Sequence, residues 1–140
     1  MFELDPAFVR TSHAIVDLRL CAARLQADAR WPWIVLVPRV AGAREIEDLA
    51  PADRARLMAE LVIAGRAVRA VGRSMGFAVE KLNVGLIGNV TAQLHGHVVG
   101  RRSDDPAWPA PVWGLAGAAP YAGEAQRRAI AAAEAAFHTD

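Results

Sequence analysis

Gln93-Leu94-His95-Gly96-His97-Val98-Val99 is the stretch on which the reading of this chain turns. With Gly100 and Arg101 it reads as a strand over residues 93–101, in which side chains alternate between two faces. Gln93, His95 and His97 then stand in one row, while Leu94, Gly96 and Val98 point the other way. Polar groups so aligned are costly in a core unless each finds a partner, so the row belongs to a solvated face or to a site. As a metal site it offers two imidazoles, where a structural zinc usually takes four ligands and a catalytic one three. His13 and His138 lie near the ends of the chain, and neither Cys-x-x-Cys nor His-Glu-x-x-His is present. Phosphate chemistry fits the row as well. A neutral imidazole is a competent nucleophile near pH 7, and a second, protonated one would neutralise phosphate oxygens or a leaving group.

Immediately upstream lies Gly88-Asn89-Val90-Thr91. A glycine turn there lets main-chain N–H groups approach an anion. Lys81 to Ile87 reads as a strand. Before it the sequence predicts one strong helix over about residues 52–73, opened by Pro51-Ala52-Asp53. Leu57, Leu61, Ala64, Val68 and Val71 form its apolar stripe, Met58 and Val62 widen it, and Arg66, Arg69 and Arg73 take another face. Gly72 and Gly76 mark its end. Trp33-Ile34-Val35-Leu36-Val37, stopped by Pro38, is apolar throughout and reads as a strand covered on both faces, or a central one. Ala14 to Leu25 reads as extended, with a break at Ala27 to Arg30, and Asp5-Pro6 starts a short helix. Downstream, Asp104 to Gly114 holds three prolines and two tryptophans and reads as a loop. Gly123 to Phe137 is an alanine-rich helix. Strands, a long helix and further strands make an α+β pattern.

The 140 residues suit one domain. At 54% hydrophobic and 22% charged the chain is globular rather than disordered. Sixteen Lys+Arg against fifteen Asp+Glu argue against a strongly basic nucleic-acid binder and against an acidic tail protein. Cys21 is the single cysteine, so no intrachain disulfide forms, which fits a reducing, cytoplasmic compartment. Between Leu20 and Ala22 it reads as a small buried apolar residue. MFELDPAFVR shows no signal-peptide pattern. No stretch is long and apolar enough for a membrane span.

With these pieces in place, Gln93-Leu94-His95-Gly96-His97-Val98-Val99 resembles the signature of the histidine triad (HIT) family, His-φ-His-φ-His-φ-φ with φ apolar. The likeness includes Ile34-Val35-Leu36-Val37-Pro38-Arg39, the long helix, Leu82-Asn83-Val84-Gly85 and Gly88-Asn89, in the family's order over about residues 15–102. Asp28-Ala29-Arg30-Trp31-Pro32-Trp33, Asp105-Pro106-Ala107-Trp108-Pro109 and Val112-Trp113-Gly114 resemble a bacterial branch often labelled diadenosine tetraphosphate hydrolase-like. The resemblance implies a single HIT-like domain over residues 1–140, with its core at about 15–102 and a C-terminal loop and helix at 103–140. Its fold would be a five-stranded antiparallel sheet with one long packed helix, usually in a homodimer. The chemistry would be hydrolysis or transfer at the α-phosphate of a dinucleoside polyphosphate or a nucleoside phosphoramidate.

Residue by residue, the resemblance makes His95 the nucleophile, forming a covalent nucleotidyl-imidazole that water releases. The other ring nitrogen of His95 should donate to a main-chain carbonyl. His97 would contact a phosphate oxygen or the leaving group. Gly88, Asn89 and Val90 would offer main-chain donors to the α-phosphate. Asn83 would contact ribose or phosphate, Asp28 a ribose hydroxyl, and Leu25 and Ile34 would flank the base. No metal cofactor is implied, although a polyphosphate substrate can carry magnesium with it. The partners implied are a nucleotide and a second copy of the chain, with no nucleic acid and no membrane.

Two departures from the pattern bear on activity. Gln93 replaces the first histidine and carries no positive charge, and Val40 stands where many relatives have another histidine. The first leaves a second reading open, a nucleotide-binding protein with weak or no catalysis. Other residues also have a plainer reading: Asn83 as a turn residue, Asp28 as an exposed loop carboxylate, and Arg101-Arg102 as a solvated pair. Trp108 and Trp113 read as packing under the proline-rich loop, or as part of a loop that closes over the site, from this chain or from a partner subunit.

Overall fold

The computed structural model describes residues 1–139. The elements run α1 Pro6–Thr11, β1 Ser12–Asp17, β2 Cys21–Gln26, β3 Trp33–Pro38, a 3-10 turn Ile46–Asp48, α2 Pro51–Ser74, β4 Lys81–Gly85, β5 Gly96–Arg101 and α3 Gly123–Phe137. Five strands form one antiparallel sheet in the order β1-β2-β3-β5-β4.

The continuous apolarity of β3 follows from its place at the centre of that sheet. Ile34 and Leu36 face α2 and share a core with Ala23, Leu25, Val98, Leu57, Leu61, Ala64 and Val68. Trp33, Val35 and Val37 face the other way and pack with Phe8, Trp31, Val99 and Val112. Glu60 anchors α2 to the sheet. It is buried, and its carboxylate accepts from the main-chain N–H groups of Leu20 at 2.9 Å and Cys21 at 2.8 Å. Cys21 is itself fully buried, and burial, followed by the Glu60 charge, pushes its thiol pKa up, which makes it inert.

Several boundaries differ from the sequence expectation. The extended run over residues 14–25 is a hairpin, β1 and β2, closed by Leu18 N–H donating to Cys21 O at 2.8 Å. β4 stops at Gly85 rather than Ile87. Residues 93–95 precede β5 instead of joining it, because Leu94 N–H is taken by Ala43 O at 3.0 Å. On α2, Met58 and Val62 are 63% and 60% exposed and do not widen the buried stripe. Gly76 does follow the helix, at φ +70°, where a side chain would be strained. Gly72 lies inside it, because a Cβ there would stand 2.5 Å from Phe77 O.

Candidate active site

The sheet register places the two histidines. His97 pairs with Val35, and Val35 with Arg24; on the other side His97 pairs with Gly85. All of these point away from α2. The face they share opens into a cleft of about 410 Å³ whose walls include Phe8, Gln26, Trp33, Val35, His95, His97 and Trp113. A smaller cavity of about 160 Å³ lies beside it, lined by Arg44, Glu45, Gly88, Asn89 and His95 among others.

His95 is 5% exposed. Its Nδ1 lies 2.7 Å from Gln93 O. A carbonyl only accepts, so Nδ1 carries the hydrogen and Nε2 is left with a free lone pair. Phe8 packs edge-on against the ring at 4.9 Å between centroids. His97 lies 4.8 Å from His95, ring to ring. Its Nδ1 accepts from Trp33 Nε1 at 3.0 Å. Burial first, and His95 second, lower the His97 pKa from the usual 6.5 to about 4. His97 is therefore neutral at pH 7, which corrects the expectation of a protonated partner. Trp113 stands over it, centroids 5.7 Å apart. A Cβ on Gly85 would come 3.3 Å from the Trp113 ring, so the absence of a side chain there seats the indole.

Gln93 does not reach either imidazole with its side chain. Its Oε1 accepts from Asp5 N–H at 2.8 Å and its Nε2 donates to Glu3 O at 2.8 Å. The amide thus fastens the segment leading into α1, which Asp5 caps through Ala7 N–H. From β2, Arg24 Nε donates to Ser12 Oγ at 2.7 Å, and Ser12 in turn donates to Phe8 O. Together these hold Phe8 against His95.

The turn before the histidines lies at the junction of the two cavities. Asn89 lines both, Gly88 the smaller and Val90 the larger. A Cβ on Gly88 would approach Thr91 O to 3.1 Å, so the turn is tight. Val90 is fully exposed. Among the described residues, none accepts a hydrogen bond from the main-chain N–H groups of Gly88, Asn89, Val90 or Thr91.

Other expected residues lie elsewhere. Asn83 shares the histidine face, opposite Val99, but its Oδ1 accepts from Arg101 Nη1 at 2.8 Å. Asp28 is 3% exposed and is neither an exposed loop carboxylate nor part of the cleft wall. It is paired with Arg30 at 2.8 Å and accepts from Ala119 N–H at 3.3 Å, whereas Gln26, two residues earlier, lines the cleft. Leu25 and Ile34 are fully buried under α2, on the opposite face from the histidines, and cannot flank a base. Of the Arg101-Arg102 pair, Arg102 is partly exposed and paired with the exposed Asp104, whereas Arg101 is not solvated. Arg101 is 1% exposed and makes two bonds to the Asp105 carboxylate, at 2.8 and 3.0 Å. Trp108 lies over the Arg101 guanidinium at 5.6 Å, whereas Trp113 lines the cleft from this chain's own loop. Among the described residues, no group of three or more His, Cys, Asp or Glu is gathered for a metal ion.

Sequence reasoning missed Phe8, Gln26, Trp33 and Arg44. Trp33 reads as core from sequence, since only the β3–β5 register shows that it reaches His97. Nothing in the sequence marks the other three.

Comparison with known proteins agrees with this geometry. The sequence model of a family described as HIT domain matches residues 7–104. Among solved structures, a histidine triad protein from Sinorhizobium meliloti is 40% identical, with a TM-score of 0.87 over 95% of each chain. One from Marinobacter aquaeolei is 36% identical, with a TM-score of 0.88, covering 98% of this chain and 96% of that one. One from Bradyrhizobium japonicum is 33% identical, with a TM-score of 0.89, covering 97% and 98%. No curated protein matches the chain.

Proposed function

The chain belongs to the HIT domain family, and from that premise we propose that it is a nucleotide hydrolase or transferase acting at an α-phosphate through a covalent intermediate on His95. The observation that carries this reading is the 2.7 Å bond from His95 Nδ1 to Gln93 O. It fixes the tautomer and leaves Nε2 as the free nucleophilic nitrogen of a ring that lines the cleft. Nε2 attacks phosphorus, the bond from phosphorus to the leaving group breaks, and a nucleotidyl-imidazole remains. Water then attacks the same phosphorus, and the nucleoside monophosphate is released. The main-chain N–H groups of Asn89 and Val90, which have no acceptor among the described residues, support this reading as donors to phosphate oxygens. His97 adds a neutral N–H donor. The apolar walls at Phe8, Val35 and Trp113 suit a nucleoside, with Gln26 as a polar contact.

Replacement of the first histidine by Gln93 does not disarm this arrangement. Positioning of His95 comes from the main-chain carbonyl of residue 93, which every residue type carries. The reading extends to a diadenosine tetraphosphate hydrolase-like protein of the cytoplasm that works as a homodimer without a resident metal. The test compares the wild type with His95→Asn on diadenosine tetraphosphate and on an adenosine phosphoramidate, following AMP by chromatography. We expect AMP from the wild type and a loss of about 10³-fold or more in the variant. A variant that retains wild-type turnover contradicts the nucleophile assignment.

A further inference from the structure

We propose that Trp33 is a positioning residue that holds His97 as an uncharged Nε2–H donor, and that a site so held favours substrates whose leaving group departs as a stable oxyanion over those that release an amine. The second half rests on the hydrolase reading above; the first does not.

An indole N–H only donates. At 3.0 Å from His97 Nδ1 it requires that nitrogen to accept, so the single ring proton sits on Nε2. Protonating Nδ1 would set one N–H against another and forfeit the bond. The surroundings offer the imidazolium nothing in return. α1 contributes Phe8, β3 Trp33 and Val35, β4 Gly85, and the loop Val112 and Trp113. The ionisable groups on this face are His95 itself, Arg24, whose guanidinium is turned to Ser12, Arg101 at the far end of β5, which Asp105 holds, Lys81 beside it at the far end of β4, and Asp17 at the far end of β1, which Arg39 holds; Arg44 and Glu45 line the smaller cavity on the His95 side. Among the described residues no carboxylate lines the cleft beside His97 to favour a charged ring, in keeping with the lowered His97 pKa of about 4.

The consequence lies in the proton balance. When His95 Nε2 attacks and a P–O bond to a polyphosphate breaks, the electron pair stays on the departing oxygen and no proton is needed. When a P–N bond breaks, the departing nitrogen must collect a proton, and a neutral imidazole N–H is far too weak an acid to give one. It still donates a hydrogen bond to oxygen.

The experiment uses the full-length protein labelled with ¹⁵N at histidine and tryptophan rings. For the wild type we expect His97 Nδ1 to be unprotonated and coupled across the hydrogen bond to Trp33 Nε1, and the ring to stay neutral at pH 6. Trp33→Phe should lose the coupling and shift the titration upward. In parallel, kcat/KM for diadenosine tetraphosphate should exceed that for an adenosine alkylphosphoramidate by about 100-fold, a ratio that narrows about tenfold in Trp33→Phe through kcat rather than KM. If Trp33→Phe does not fold, the wild-type spectrum still decides the tautomer, and benzothienylalanine at position 33 removes the N–H at constant shape. A proton on Nδ1, or an imidazolium at pH 7, overturns the role of Trp33. Equal turnover of both substrates overturns the leaving-group preference. Silence on both overturns the hydrolase reading and that preference together, while the ring nitrogens still decide the tautomer.

Discussion

His95 and His97 are two residues apart, yet their second nitrogens are used in opposite senses. His95 Nδ1 donates to a carbonyl and His97 Nδ1 accepts from an indole. One ring therefore presents a lone pair at Nε2 and its neighbour presents a hydrogen, a complementary pair that suits the proposed attack on a phosphoryl group. The shared face was legible from the period of two alone. The polarity was not, because it depends on Trp33, 64 positions away, and on which strand lies beside β5. The role of Gln93 was also hidden, since its amide partners lie near the N-terminus. Loss of those two bonds in Gln93→Ala should cost about 1–2 kcal/mol. A urea titration that shows no change in midpoint would contradict the fastening role. Because the residue 93 carbonyl survives, kcat in that variant should fall far less than in His95→Asn.

At the scale of elements, α2 was the most legible part, because five apolar positions repeat on one face and all five are buried. Its outer neighbours Met58 and Val62 stay exposed, since sequence does not show how wide a strip the sheet covers. Gly72 was read as a helix end, whereas a contact across the following turn requires it. Alanine in mid-helix normally gains about 1 kcal/mol over glycine. At Gly72 the added Cβ meets the Phe77 carbonyl at 2.5 Å, a backbone atom that cannot rotate away. Overpacking costs about 1–3 kcal/mol, so Gly72→Ala should lower stability despite its better propensity. Thermal unfolding with a raised Tm would contradict that contact. The strand order, by contrast, is set by long-range pairing and had no local signature; it entered only through the resemblance.

Across the whole molecule, the buried Arg101–Asp105 pair joins β5, through Asn83, to β4 and, through Ala110 O, to the proline-rich loop that carries Trp113. Burial alone would raise the Asp105 pKa, but bonds from Arg101 and from the Arg102 and Ala107 N–H groups outweigh it and hold it at about 2. With a folded value below the unfolded one near 3.8, the pair stabilises the protein fully above about pH 5 and loses that contribution as pH falls towards 2. Asp105→Asn leaves Arg101 uncompensated and should cost about 3–5 kcal/mol at pH 7. The cost should shrink in acid, and an acid unfolding curve identical to that of the wild type would contradict it. The pair was invisible in sequence because Arg101-Arg102 looks like any strand-end charge cluster. Among the described residues no helix is long and apolar enough to cross a membrane. β4 is a sheet edge with Val84 53% exposed, and an uncovered edge invites pairing. Light scattering tests the proposed homodimer: twice the 15.0 kDa chain mass is expected, and a purely monomeric species would contradict it.

The central claim is the covalent bond at His95. The most direct measurement is intact-mass and peptide mass spectrometry of the protein mixed with diadenosine tetraphosphate and quenched within one turnover, under alkaline conditions that preserve a phosphorus–nitrogen bond. One added nucleotidyl group is expected, mapped to His95 and absent from His95→Asn. Release of AMP with no adduct at any time, or an adduct on another residue, would contradict it.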